Sequence, residues 1–340
     1  MLTRTVCTVA QRMAAPAGAR ASSSVVYDAF GSIFSGAQPD AKGLAESFAR
    51  ARVAVPEQLP AELAAALSSS GSTFTASQLA DFVAANPSNP AAWALNQLAA
   101  RLGSPAAAGV TVSESGELGT IDYRLFFSDL DGNKVSVWHD VSLLNEDGTM
   151  NMIVEIPRFT RAKMEISTDE QFNPIKQDTS KGLPREYKWG DMLFNYGALP
   201  QTWEDPAFTH PATSAAGDND PVDIIDVGTT SHPIGSVIKV KPLGVLGMID
   251  QGEMDWKVIA ISTADPMAAA VNSIADLRVV QPTAVEAFDG WMRDYKTADG
   301  KPTNHIEYVT GWDTPEFAKS VITEANEHWA TLVASGRREL

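Results

Sequence analysis

From about residue 117 onward, apolar and polar positions alternate in short runs, and the period becomes helical only late in the chain. The stretch IDYRLFFSDLDGNKVSVWHDV reads as two strands joined at Asp131-Gly132-Asn133, a hairpin turn. Further strand-like runs cover 151–155, 161–166, 223–227, 237–240 and 256–261, while helical spacing occupies 284–295 and 315–334. Strands first and helices last predict an α+β domain. Asp129, Asp131, Asn133 and Asp140 invite comparison with a calcium loop. That loop needs glycine where Lys134 stands and glutamate where Asp140 stands, so the hairpin is the better reading.

Upstream, between about 38 and 103, the chain is Ala-rich and carries short helical stripes: Leu59, Leu63 and Leu67, then Leu79, Phe82 and Val83, then Leu95, Leu98 and Leu102. With the pair Leu44 and Phe48 they predict four short helices, a small all-α extension without visible chemistry. It packs on the main domain or docks a protein partner. The first 27 residues contain no acid, three arginines (Arg4, Arg12, Arg20) and much Ala, Ser and Thr. That is the composition of an organelle transit peptide. The spaced arginines favour the mitochondrion over the plastid.

Charge narrows the partners. A formal net charge of −16 argues against nucleic acid, which needs clustered Lys and Arg. Small anions remain open, because a bound metal reverses the sign of a site locally. Cys7 is the only cysteine, so neither an intrachain disulfide nor a cysteine metal cluster can form. No run reaches the roughly 18 apolar residues of a membrane span.

The acids are not spread evenly. GDNDPVDIIDVG (217–228) holds Asp218, Asp220, Asp223 and Asp226, with no Lys or Arg between Lys188 and Lys239. In an extended chain Asp218 and Asp220 share a face; Pro221 breaks the alternation, so Asp223 can swing to the same point. Three converging oxygens suit a hard divalent cation such as Mg²⁺; a solvated turn is the alternative. In DQGEMDWK (250–257) Asp255 and Lys257 share one strand face, with Trp256 on the other. In EIPRFTRAKMEI (155–166) Lys163 and Glu165 alternate with Met164 and Ile166. Each segment alone could be a surface ion pair. Together they point to one composite site.

NMIVEIPRFTRAKMEI, NPIKQD, NYGALPQTWEDP, GDNDPVDIID, DQGEMDWKVIAI and WMRDYKTADGKP, in this order, resemble the family I soluble inorganic pyrophosphatases of eukaryotic type. The resemblance runs over 117–335. It implies an OB-like closed β-barrel with peripheral helices, a homodimer, and hydrolysis of inorganic diphosphate with Mg²⁺. It also implies roles: Glu165, Asp218, Asp223, Asp250 and Asp255 as metal ligands, with Glu155 acting through water. Asp220 matches the carboxylate that activates the nucleophilic water. Lys163, Arg185, Tyr196, Lys257, Tyr295 and Lys296 match the groups that hold the phosphates. The chemistry agrees, since phosphoryl transfer needs charge neutralisation and in-line positioning more than covalent help. A pyrophosphatase-like scaffold subunit of a larger mitochondrial assembly is the competing reading. One departure stands out. Where the family carries a second active-site tyrosine, this chain has Met192 in GDMLFNYG, within a segment a few residues shorter than usual. One phenolic contact is therefore expected to be missing, with activity reduced or altered.

Overall fold

The computed structural model describes residues 109–338, together with Leu79, Phe82 and Leu95, which are helical. The transit-peptide reading of 1–27 and the rest of the four-helix reading of 38–103 lie outside the described residues.

In chain order the strands are β1 (Val110–Ser115), β2 (Arg124–Asp129), β3 (Lys134–Val135), β4 (Met150–Ile156), β5 (Met164–Ile166), β6 (Ile175–Gln177) and β7 (Thr179–Ser180). They continue with β8 (Leu183–Pro184), β9 (Asn195–Ala198), β10 (Ala216–Gly217), β11 (Asp223–Asp226), β12 (Val237–Asp250), β13 (Glu253–Ser262) and β14 (His305–Glu307). The helices are α1 (Ile274–Val280), α2 (Ala284–Asp294) and α3 (Pro315–Ala334), with a 3₁₀ turn at Tyr295–Asp299 after α2. The architecture is α+β, as the late change of period predicts.

A mixed seven-stranded sheet positions the site. Its pairings run β13–β11–β9–β4–β12, and β12 pairs back with β13. β12 pairs with β4 near its start, with β13 from Val240 to Asp250 and with β14 at Gly247–Ile249. Its register against β13 shifts between Pro242 and Gly244, an irregularity that lets this long strand bend. Gln251 and Gly252 then close a tight hairpin with φ of 54° and 98°, the positive-φ pair that matches strand twist. β9 crosses β4 so closely that a Cβ on Gly197 would lie 1.8 Å from the Ile153 carbonyl oxygen, so only glycine fits. β4 and β9 are buried along their whole length, with an apolar cluster on each side of the sheet.

α3 coincides with its predicted span. The Thr314 side chain caps it by accepting from Phe317 N, and Pro315 opens the first turn. Ala318, Val321, Ile322, Ala325 and Leu332 form its buried face, packed on β12. Two sequence expectations contract. The second hairpin strand stops at Val135, because the Asp140 carboxylate accepts from Ser136 N and Ser136 Oγ accepts from His139 N, folding 136–140 into a turn. The strand expected over 161–166 is regular only over Met164–Ile166, with Ala162 forming a single bridge to Glu186.

Candidate active site

Every sequence-predicted site residue lines one cleft of about 270 Å³, built largely on strands of the seven-stranded sheet. Strand register explains the convergence. Asp223 opens β11 directly beside Lys257 of β13, and Asp255 sits two residues earlier on the same face of β13. Asp250 ends β12 at the hairpin and Tyr196 lies on β9, next to β11. Glu155 falls at the irregularity in the β4–β9 pairing, which turns its carboxylate inward; Oε1 accepts from Ile166 N at 2.7 Å. Asp218 and Asp220 occupy the loop before β11, where Asn219 takes a left-handed conformation (φ 77°) and Asp218 Oδ1 accepts from Asp220 N. Tyr295 and Lys296 arrive from the 3₁₀ turn after α2.

Opposite charges interlock across the cleft. Lys257 Nζ donates to Asp255 Oδ1 (2.5 Å), to Tyr196 Oη (3.0 Å) and to Asp223, which also accepts from the Tyr196 hydroxyl. Lys296 pairs with Asp250. Lys163 lies 2.5 Å from Glu165 and 3.1 Å from Asp178, and the same Asp178 oxygen accepts from Arg185 Nη1 at 2.7 Å. Burial alone would lower the Lys163 pKa, but Glu165, Tyr187 and Asp178 raise it above the usual lysine range, so the ammonium persists.

The carboxylates are crowded. Burial pushes Glu155 and Asp218 well above the carboxylate range, reinforced at Glu155 by Asp223 and at Asp218 by Asp255. Loss of water on its inner side, then Asp223 and Glu165, push Asp220 up to about 6, although it faces the open cleft. Burial, offset in part by Lys257, brings Asp255 to about 7. Such a group of raised carboxyls is what a cation site looks like in electrostatic terms.

Glu204 is the residue whose part the sequence reading underrated. It lies in the QTWEDP stretch and is not among the metal ligands that the resemblance implies. Here its carboxylate joins those of Asp218 and Asp255, with one oxygen of each lying within 4.8 Å of the others. Oε1 accepts from Trp256 N at 2.9 Å, while Oε2 is buried with no hydrogen-bond partner. An orphaned buried carboxylate oxygen is costly unless something positive meets it. An all-oxygen donor set with one oxygen in that condition fits a hard divalent ion. Asp226 stands apart: three residues beyond Asp223, it points away from the cleft and accepts from Asn195 Nδ2, Gly228 N and Ser262 N. Met192 does too; it lies in the apolar core. Tyr187, however, brings a phenol into the cleft that sequence reading did not place there. The available signal was its position two residues after Arg185.

A carboxylate wall facing lysines, an arginine and phenols is the site of a divalent-ion-dependent hydrolase acting on phosphoanhydrides. The inorganic pyrophosphatase family model matches residues 152–330, and the chain belongs to that family. It is 48% identical over 225 residues to the chloroplastic soluble inorganic pyrophosphatase 6 of Arabidopsis thaliana, covering 66% of this chain and 75% of the relative. Among solved structures, the N-terminally truncated vacuolar soluble pyrophosphatase of Trypanosoma cruzi in complex with PPi superposes with a TM-score of 0.63. The identity is 43%, over 66% of this chain and 91% of that one. The inorganic pyrophosphatase of T. brucei brucei aligns over 95% of this chain and 99% of its own, with a TM-score of 0.65 and 34% identity. The protein is thus an inorganic diphosphatase, of a family that uses divalent metal ions.

Proposed function

We propose that the cleft hydrolyses inorganic diphosphate with Mg²⁺, that Asp218, Asp223, Asp255, Asp250 and Glu165 hold the metal, and that Glu155 acts through water. Mg²⁺, when bound, supplies charge neutralisation and lowers the pKa of coordinated water. Asp220 accepts the proton of the attacking water as its oxygen bonds to phosphorus and the bridging P–O bond breaks. In the metal-free cleft, burial, Asp223 and Glu165 push the Asp220 carboxyl up to about 6, the direction that favours accepting a proton. Lys163, Arg185, Tyr196, Lys257, Tyr295 and Lys296 grip the phosphate oxygens and stabilise the departing phosphate.

The observation that carries this reading is the meeting of Asp223, Asp255, Lys257 and Tyr196 at adjacent strand positions, so that cation donors and anion donors share one wall. The circuit of pairings from β13 through β11, β9, β4 and β12 supports describing the sheet as an OB-like closed barrel. We further propose an organelle enzyme, with 1–27 as a mitochondrial transit peptide (a plastid address being the alternative), a homodimeric state and a helical extension over 38–103. The chloroplastic relative supports organelle targeting in general. Phosphate release from diphosphate in the presence of Mg²⁺, compared with Asp220→Asn, tests the chemistry. The variant should lose nearly all turnover, and a parent protein without activity would sink the proposal.

A further inference from the structure

The pairing that carries Lys163 and Arg185 has a third member. Lys163 N donates to Arg185 O (3.0 Å), Tyr187 N donates to Arg161 O (2.8 Å), and Ala162 bridges Glu186 between them. Side chains two apart on an extended segment share a face, so Tyr187 follows Arg185 into the cleft. Its ring is held edge-on by Trp291 (centroids 4.8 Å apart) and by Tyr295 (5.5 Å). Trp291 in turn is fixed by its Nε1 donating to Asp191 O at 3.2 Å. The ring is therefore confined to one place.

Its hydroxyl oxygen is fixed with it but is uncommitted. Among the described residues the Tyr187 hydroxyl makes no hydrogen bond, whereas that of Tyr196 is bonded to Asp223 and Lys257. A rigidly packed, nearly buried phenol with an uncommitted hydroxyl, on the wall that presents Lys163 and Arg185, is a preorganised donor to an anion. We propose that Tyr187 contacts the substrate, its hydroxyl donating a hydrogen bond to a phosphate oxygen of diphosphate beside Lys163. The chain thereby regains, from a different position, a phenol that Met192 does not provide. The inference rests on the diphosphatase reading above.

Tyr187→Phe keeps the ring between Trp291 and Tyr295 and removes only the hydroxyl. Turnover of diphosphate with Mg²⁺ and calorimetric affinity of the Mg²⁺-loaded protein for methylenediphosphonate, a non-hydrolysable analogue, are measured beside thermal melting. The expected result is about a tenfold loss in both kcat/KM and analogue affinity, the size of one hydrogen bond, with melting unchanged. Unchanged kcat/KM and affinity overturn the proposal. So does lost turnover with a lowered melting temperature and intact analogue affinity, which would make the hydroxyl structural. A parent protein that binds the analogue but releases no phosphate would remove the diphosphatase reading, while the affinity comparison still decides the contact. A parent that binds no analogue removes both.

Discussion

The backbone of Gly217 runs so close to that of Glu204 that a Cβ at 217 would lie 2.3 Å from the Glu204 carbonyl carbon and oxygen. Around this contact Glu204 N donates to Asp220 O, and Asn219 N donates to Glu204 O, both at 2.9 Å. The loop bearing Asp218 and Asp220 is thus laced to the segment bearing Glu204. Gly217→Ala should push the two apart, costing about 1–3 kcal/mol of stability. Divalent-ion affinity should fall with it, because Glu204 and Asp218 would no longer converge. Denaturant unfolding and calorimetric Mg²⁺ titration check both effects.

Glu204 itself separates stability from binding. Its Oε2 is buried and unpartnered, so a negative charge there opposes folding when no cation is present. Burial, then Asp218 and Asp255, hold its carboxyl well above the usual range. Glu204→Gln should therefore raise the stability of the metal-free protein by about 1–2 kcal/mol at pH 8 and weaken Mg²⁺ binding at least tenfold. Melting curves with and without Mg²⁺ test this; equal stabilisation of both forms would contradict it.

In the proposed site, protons compete with metal ions for the carboxylates. Asp220 at about 6 and Asp255 at about 7 stand above their ordinary value of 3.8. For acids raised in the folded state, the contribution to stability is fullest below pH 3.8 and is lost as pH rises through about 6 to 7. The metal-free protein should lose this contribution over that window, and divalent-ion affinity should increase across it as the carboxyls ionise. Mg²⁺ titrations at pH 5.5 and 8, in buffers of different ionisation enthalpy, should show proton release on binding that shrinks at the higher pH.

The parts of the site that were legible in the sequence share a physical cause. Asp255 and Lys257 lie two apart on one strand, and period-two alternation fixes their common face whatever the rest of the fold does. Asp218, Asp220 and Asp223 are similarly local. The placements of Asp178, Tyr187 and Glu204 at or beside the cleft depend on which segments cross, and no local period encodes that. Asp178 matters because Lys163 and Arg185 reach it from both sides of one pairing. Among the elements, α3 was legible to its ends through its helical spacing, whereas β9 was not. Its four residues carry no alternation, because both of its faces are buried.

Asp178 holds Lys163 and Arg185 at 3.1 and 2.7 Å, and the backbone ties the three together: Asp178 N to Lys163 O, and Arg185 N to Asp178 O. Asp178→Asn removes the shared counter-charge but keeps the shape. Both cations gain net positive field toward the cleft while losing a fixed orientation. Diphosphate KM should stay level or fall, and kcat should drop by about tenfold. A raised KM with unchanged kcat would show that Asp178 sets binding rather than alignment.

Asp226 provides the contrast to Asp223. The two acids stand at either end of β11, three residues apart, and so face opposite sides of the sheet. Asp223 meets Lys257 and Tyr196 in the cleft. Asp226 is fully buried, accepts three hydrogen bonds at 2.8–3.0 Å and has His232 Nε2 3.8 Å away. Two of its donors are backbone amides, of Gly228 and Ser262, so it clamps the ends of β11 and β13. Asp226→Asn forces an amide N–H into a place built for acceptors and should cost about 2–4 kcal/mol. Mg²⁺ affinity of the folded fraction should not change, because no atom of Asp226 reaches the cleft. Asp223→Asn should do the reverse, abolishing tight Mg²⁺ binding at little or no cost to metal-free stability. Paired unfolding and titration experiments on the two variants separate the acid that builds the sheet from the acid proposed to hold the ion.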